Sequence, residues 1–285
     1  MSDFDLIAAT NLHMTRGRFP TTRRTHYYPS SASAVTPNGV VGGCLRQSWY
    51  RVQDNLEFTP APSSPSGEWA AELGIAVESL LIENWKQMGI WVANNIKWYD
   101  KDRNISGELD AIIRTPEGKE KIIELKTFWG YYASSEICGN TRKEGKPKVE
   151  HQMQLMLYLD HFKHRIEEGK LLYFARDSAA RKEFDMHLTQ HTDGKTYAVI
   201  DGKMFLNVAL EDIYARYADL DNYYKNKVEP PRDYMLEYTD QMIEAKWAAN
   251  DLSKAKYEAF QKKGIRPGDF QCNYCRFANL CWNKD

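Results

Sequence analysis

Residues Gly107 to Lys126 read GELDAIIRTPEGKEKIIELK, and they decide the fold. Leu109 to Arg114 and Lys121 to Lys126 are β-prone runs. Thr115-Pro116-Glu117-Gly118-Lys119 between them is turn chemistry, so the stretch predicts a β-hairpin. Side chains alternate along a strand, which places Glu124 and Lys126 on one face and Ile123 and Leu125 on the other. If the loop is Pro116-Glu117-Gly118, with Gly118 in the left-handed region, Asp110 falls directly opposite Glu124, side chains ~5 Å apart. The hairpin then gathers two carboxylates and an ammonium on an otherwise apolar element. Like charges buried side by side need a cation between them. A divalent ion fills that role, and Mg²⁺ takes oxygen ligands, usually one or two carboxylates with phosphate and water. A solvated charged hairpin is the plainer alternative, since D-x13-E-x-K also arises by chance.

The composition places limits on the rest. The chain has 285 residues, 42% hydrophobic and 27% charged, which suits one large domain or two small ones. No apolar run approaches the ~18 residues of a membrane span. The start, Met1-Ser2-Asp3-Phe4-Asp5, is acidic where a secretory signal is basic, so a cytoplasmic location is expected. Cysteines there serve as metal ligands or core residues rather than disulfides. The formal net charge is −1, so any nucleic-acid binding must come from local patches.

Residues 1–28 read as a basic arm, with Arg16, Arg18, Arg23 and Arg24 interleaved with Phe19, Tyr27 and Tyr28. That mixture suits single-stranded nucleic acid or an unstructured tail. Pro29 to Ser33 offers helix N-caps, and Thr59 to Gly67 is a loop. Glu68 to Met88 predicts a helix ending at Gly89, with an apolar stripe of Trp69, Leu73, Val77, Leu80 and Leu81. Glu78 lies beside that stripe, four residues after Gly74, and is a candidate third acidic ligand. Phe128 to Pro147 reads as a loop whose Arg142, Lys143 and Lys146 suit phosphate contact. Val149 to Lys163 predicts a helix on which Gln154 and Tyr158 share a face. Leu171 to Ala175 and Glu183 to Leu188 predict strands, and Phe205 to Lys225 and Tyr234 to Lys263 predict helices. Gly194-Lys195-Thr196 resembles the end of a phosphate-binding loop, but Thr189 stands where its first glycine belongs. Asp193-Gly194 is read as a turn, and an ATP site is rejected.

Cys272, Cys275 and Cys281 form C-x2-C-x5-C, a spacing that points to a metal. Three thiolates leave one ligand to find, and Cys44 is the candidate, with Cys138 left over. Zinc and a four-iron four-sulfur (4Fe-4S) cluster both accept four thiolates. The presence of only one C-x2-C knuckle leans toward iron–sulfur.

A distant amino-terminal cysteine, a Glu-bearing helix, G-x-x-D, E-x-K, Q-x-x-x-Y and a terminal C-x2-C-x5-C follow one another in this order. The combination resembles the RecB-like nucleases of the PD-(D/E)XK superfamily, in the iron–sulfur branch that includes the CRISPR-associated exonucleases and their phage-encoded relatives. The resemblance runs from Cys44 to Cys281. It implies an α/β fold, a mixed central sheet flanked by helices, in one domain over residues 29–285. A helical iron–sulfur lobe would be built from both chain ends, about 40–58 and 228–285. Asp110 and Glu124 resemble the metal-binding acids and Lys126 the catalytic lysine. Gln154 and Tyr158 resemble the motif that follows the core, and Cys44, Cys272, Cys275 and Cys281 resemble the cluster ligands. The chain departs from the branch in carrying Glu78 where many members have histidine, and Leu109 where a proline precedes the first acid.

The resemblance implies a Mg²⁺- or Mn²⁺-dependent deoxyribonuclease acting on single-stranded DNA, at ends or overhangs. Glu78, Asp110, Glu124 and the Leu125 carbonyl would hold the ion, Lys126 would orient water or stabilise charge, and Gln154 and Tyr158 would position Lys126 or the strand. Arg46, Arg142, Lys143 and Lys146 are the expected DNA contacts. Protein partners in recombination or CRISPR adaptation are implied; a membrane or ATP partner is not. Two alternatives stay open: a cluster-bearing DNA-binding scaffold without catalysis, and the same core with structural zinc.

Overall fold

The computed structural model describes residues 5–15, 24–53 and 64–282. In chain order the elements are α1 (Leu6–Thr15), β1 (Ser33–Thr36), β2 (Gly39–Gly42), α2 (Leu45–Val52), α3 (Pro65–Gln87), β3 (Trp91–Asp100), β4 (Ile105–Arg114), β5 (Glu120–Phe128), α4 (Tyr131–Ile137), β6 (Gly139–Asn140), β7 (Lys143–Glu144) and α5 (Val149–Phe162). They continue with β8 (Glu168–Ala175), β9 (Arg181–Gln190), β10 (Thr196–Ile200), β11 (Lys203–Ala209), α6 (Leu210–Lys225), α7 (Asp240–Ala248), α8 (Lys254–Lys263), α9 (Phe270–Asn273) and α10 (Ala278–Trp282). Seven strands form one mixed sheet in the order β11-β10-β9-β8-β5-β4-β3. Within this sheet, among the described residues, only the β5–β8 pair is parallel. Parallel neighbours need a long crossover, and α4 and α5 supply it.

The β4–β5 hairpin has the predicted register. Ala111 pairs with Ile123 and Arg114 with Glu120. The Thr115 N–H donates to the Lys119 carbonyl (2.8 Å), closing a three-residue loop with Gly118 at φ +85°. β5 sits inside the sheet, so Ile122, Ile123 and Leu125 are buried on both sides, and Glu124 is buried with them.

α3 begins where its sequence can cap it. Ser64 Oγ accepts the Gly67 N–H (3.1 Å) and Pro65 takes the first helical position. The helix ends before Gly89, at φ +72°. Its expected apolar stripe does not face the core: Trp69, Leu73 and Leu80 are exposed and only Ile82 among its apolar residues is fully buried. The contact instead runs through Gly74, where an added Cβ would lie 3.3 Å from Thr127 Oγ1 on β5. A small residue at that seam lets the helix backbone approach the sheet.

Other elements depart from the sequence reading for local reasons. Phe205–Ala209, expected to open a helix, belongs instead to the edge strand Lys203–Ala209, because Asp201 and Gly202 both have positive φ and form a two-residue hairpin turn with β10. The expected helix over Tyr234–Lys263 breaks at Asn250 (φ +59°), after which Ser253 caps α8. The expected loop over Phe128–Pro147 contains α4 and the small β6–β7 hairpin. Pro29–Ser31 is a single 3-10 turn leading into β1. Tyr27 is buried and bridges Ile105, so the chain joins the core before residue 28. Arg16, Arg18, Phe19, Arg23 and the loop residues Thr59 to Ser63 lie outside the described residues.

The two chain ends meet, but not in a lobe of their own. Tyr50 on α2 stacks on Phe277 with ring centroids 5.5 Å apart, and Phe277 belongs to the main core, with Cys275, Leu280 and Cys281 packed against it. Only Tyr238, Ile243 and Leu252 form a small cluster apart. Among the described residues no helix is long and apolar enough to cross a membrane.

Candidate active site and cysteine cavity

Asp110 and Glu124 face each other across β4 and β5, at the position that the register extends to. The ladder opens there. The Leu125 N–H donates to Asp110 Oδ2 (2.7 Å) rather than to a strand carbonyl. Glu124 is fully buried, and its Oε2 has no hydrogen-bond partner among the described residues. Its neighbour is the Lys126 ammonium, whose Nζ lies 2.5 Å from Oε1 as an ion pair. A buried carboxylate left this way is costly unless a cation reaches it.

The electrostatics follow from this crowding. Burial pushes Glu124 up to about 8; Lys126 opposes the rise, and Asp110 and Glu78 add to it. Asp110 is raised by burial and by Glu108, against Lys126 and the Leu125 N–H. Glu78 on α3 is raised by burial and then by Asp110 and Glu108, while a hydrogen bond from Asn95 pulls the other way. Burial pulls the Lys126 ammonium down, but Glu124 and Asp110 outweigh it and hold it above its ordinary range. Glu78, Asp110, Glu124 and Lys126, far apart in sequence, therefore share one electrostatic neighbourhood. Among the described residues no three His, Cys, Asp or Glu side chains stand close enough to hold one ion as they are placed. The oxygen donors and the unpartnered Glu124 Oε2 nevertheless suit a hard divalent cation.

Two members of this neighbourhood were not singled out in the sequence. Glu108 lies two residues before Asp110, hence on the same strand face, and this spacing is a legible signal. Asn95 Nδ2 donates to Glu108 Oε1 (3.1 Å) from β3, with φ +53°. Asn tolerates that left-handed conformation better than most residues, but nothing in its sequence surroundings points to a site.

α5 closes the site from behind. Gln154 Nε2 donates to Tyr158 Oη (2.9 Å), and the Tyr158 hydroxyl donates to the Glu108 carbonyl (3.1 Å). Both side chains are buried. They hold β4 in place beneath the acids and do not reach solvent. One turn earlier, His151 Nδ1 lies 2.8 Å from Tyr173 Oη, which accepts the Lys148 N–H (3.1 Å). Burial and then the charges of Lys126 and Lys148 push the His151 pKa down to about 3. Arg142, Lys143 and Lys146 are exposed beyond α4.

Cys44, Cys272, Cys275 and Cys281 line one small cavity with Gln47, Arg46 and Trp282. Gln47 Nε2 donates to Cys275 Sγ (3.3 Å) and Arg46 Nη1 to Cys281 Sγ (3.6 Å). Arg46 also donates from Nε to the Pro230 carbonyl (2.6 Å) and faces Glu229, so its guanidinium is held inward by these contacts. Burial raises Cys44 to about 11 and Cys272 to about 12, and neighbouring thiols add to both shifts. Cys138 lies apart, packed at the edge of the core.

A mixed sheet carrying opposed acids at the mouth of a central hairpin, backed by a lysine two residues on, is the core of a hydrolytic nuclease. The chain belongs to the PD-(D/E)XK nuclease superfamily, whose family model matches residues 43–282. A curated relative, the CRISPR-associated exonuclease Cas4 of Saccharolobus solfataricus, is 32% identical over 133 residues, 46% of this chain and 57% of that protein. The chain thus matches little more than half the length of that relative. A solved structure titled "Crystal structure of SSO0001" aligns over 78% of this chain and 72% of that chain, at 22% identity and a TM-score of 0.37. Members of this superfamily are nucleases that in general use divalent metal ions.

Proposed function

We propose that the protein is a Mg²⁺- or Mn²⁺-dependent deoxyribonuclease that hydrolyses single-stranded DNA from ends or overhangs. The observation that carries this reading is Glu124, fully buried beside Asp110, with Lys126 on one oxygen and no partner on the other. Glu78, Asp110, Glu124 and the Leu125 carbonyl would hold the ion. When bound, a divalent ion polarises a phosphoryl oxygen and lowers the pKa of its water. Lys126 supplies positive charge at the reacting phosphate and leaves Glu124 for it. The Leu125 N–H fixes one Asp110 oxygen, so that carboxylate keeps its orientation as substrate enters. Gln154 and Tyr158 act by positioning, through the Glu108 carbonyl. Arg142, Lys143 and Lys146 meet phosphates.

The second centre is read as a 4Fe-4S site held by Cys44, Cys272, Cys275 and Cys281. Four thiols around one cavity, with N–H donors aimed at two of the sulfurs, support that reading. Zinc on the same thiols is the alternative, and visible absorbance with bound iron after anaerobic purification separates the two. Partners in recombination or CRISPR adaptation are proposed from the similarity to the Cas4 relative alone.

The test uses labelled single-stranded DNA with Mn²⁺, comparing wild type with Asp110→Ala, Glu124→Ala and Lys126→Ala, beside a binding assay in EDTA. Cleavage by wild type alone, with binding kept in all four proteins, is the expected result. A wild type that binds without cutting under any metal is a scaffold. Variants that cut normally remove the hairpin from the chemistry.

A further inference from the structure

The turn after β5 and the start of α4 carry three aromatic side chains that the core does not use. Trp129 is 71% exposed, Tyr131 78% and Tyr132 89%. Single exposed aromatics are ordinary, but three within four residues are a patch. They lie just past Lys126, and at ~3.3 Å per strand residue Trp129 is within about 10 Å of it along the chain.

The turn that bears them is fixed. Gly130 has φ +90°, its N–H donates to Asp177 Oδ2 (2.9 Å), and its carbonyl accepts the Ser134 N–H (3.0 Å) at the start of α4. The Arg176 N–H donates to the Phe128 carbonyl (2.9 Å) immediately before it. Tyr131 and Tyr132 meet edge to face, ring centroids 6.1 Å apart. The rings are thus presented on a pinned backbone at little further entropic cost.

The same segment ends in cations. At the other end of α4 the Lys146 N–H donates to the Glu136 carbonyl (3.0 Å), and Gly145 packs so closely on the helix end that an added Cβ would lie 2.2 Å from the Ile137 carbonyl. This holds exposed Arg142, Lys143 and Lys146 against α4. Flat exposed rings and positive charge, joined by one short rigid helix, match the two chemistries of an unpaired polynucleotide: π faces and phosphates. A duplex keeps its base faces stacked inside and offers the rings nothing.

We propose that Trp129, Tyr131 and Tyr132 form a base-stacking platform that holds unpaired nucleotides of a single strand beside the acidic site, with phosphates running toward Arg142, Lys143 and Lys146. The proposal rests on the DNA-cleaving reading above. It assigns the preference for single strands to rings rather than to charge.

The experiment measures oligothymidylate binding in EDTA by fluorescence anisotropy, with Trp129→Ala, Tyr132→Ala and Trp129→Phe, beside an abasic oligomer that keeps its phosphates. Stacking on one ring accounts for about 5-fold or more in affinity. Trp129→Ala and Tyr132→Ala are expected to weaken oligothymidylate binding by at least that factor, with Trp129→Phe near wild type. On the abasic oligomer wild type and the alanine variants are expected to converge. Equal loss on both oligomers, or no loss on either, overturns the platform. If wild type still cuts in Mn²⁺ and Glu124→Ala does not, the nuclease reading survives that failure. If wild type neither binds nor cuts, both fall.

Discussion

Glu124 lies in the middle of an apolar strand, and every other side chain of the site is arranged around the difficulty of keeping it there. Lys126 gives it a partial counter-charge, Asp110 takes a backbone N–H, and Asn95 ties down Glu108. Asp110 opposite Glu124 was legible because a three-residue loop with glycine at its left-handed position fixes the register. Glu108 was legible in principle by its spacing from Asp110. Asn95 and the inward turn of Arg46 were not, since each depends on which strand or cavity lies next to it in space. His151 gives the residue scale its pH dependence. Its folded pKa of about 3 lies below the ordinary value of 6.5, so its contribution to stability is complete above about pH 6.5 and declines as pH falls toward 3. At ~1.4 kcal/mol per pH unit, screened by partial exposure, wild type is expected to lose about 1–2 kcal/mol more than His151→Gln between pH 7 and pH 5. Urea unfolding at the two pH values reads this, and identical losses in the two proteins would contradict the buried neutral imidazole.

Packing between elements sets how closely the site can be held. β4 passes under Trp98 and Tyr158 at Gly107, where an added Cβ would lie 2.6 Å from Trp98 Nε1 and 3.0 Å from Tyr158 Cε1. Trp98 meets Tyr158 edge to face at 5.9 Å and His161 at 4.3 Å, so neither ring is free to step aside. Gly107→Ala is therefore expected to destabilise by about 1–3 kcal/mol through overpacking. It should also loosen the Tyr158–Glu108 carbonyl bond, lowering turnover in Mn²⁺ more than affinity for DNA. Thermal unfolding and a KM-against-kcat comparison check it, and unchanged turnover in a folded variant would detach Tyr158 from the chemistry. The same scale explains what was hidden in the sequence. Strands β4, β5, β8 and β9 carry strong β-prone runs and were readable. β11 runs directly into the Leu- and Tyr-rich α6, so propensity alone merged the two, and the Asp201-Gly202 turn before β11 folds it back onto β10 as a strand. The exposed face of α3 misled for a different reason: its apolar residues outnumber the ones the sheet covers, because contact is made through Gly74.

Across the whole molecule, the cysteine cavity joins positions more than two hundred residues apart in the chain. The segment before α2 is also held by polar contacts: the Leu45 N–H donates to Asp233 Oδ2 (2.7 Å), which pairs with the buried Arg216 (2.7 Å). A cofactor bound to Cys44 and to the Cys272–Cys281 segment would close the chain into a loop, and closing so long a loop removes much of the freedom of the unfolded state. The acids and Lys126 lie on α3, β4 and β5, and the cysteines near α2, α9 and α10, so the two centres share no residue. Cys44→Ser and Cys272→Ser are therefore expected to damage folding more than chemistry, with a lower Tm, less bound iron and a smaller yield of folded protein. The folded fraction should retain Mn²⁺-dependent cutting per molecule, and Glu124→Ala should show the reverse pattern, with iron and Tm kept and cutting lost. Iron content, thermal unfolding and cleavage measured on the same preparations separate these outcomes. Full iron loading with an unchanged Tm in Cys44→Ser would remove Cys44 from the ligand set and leave the terminal cysteines to find a fourth partner elsewhere.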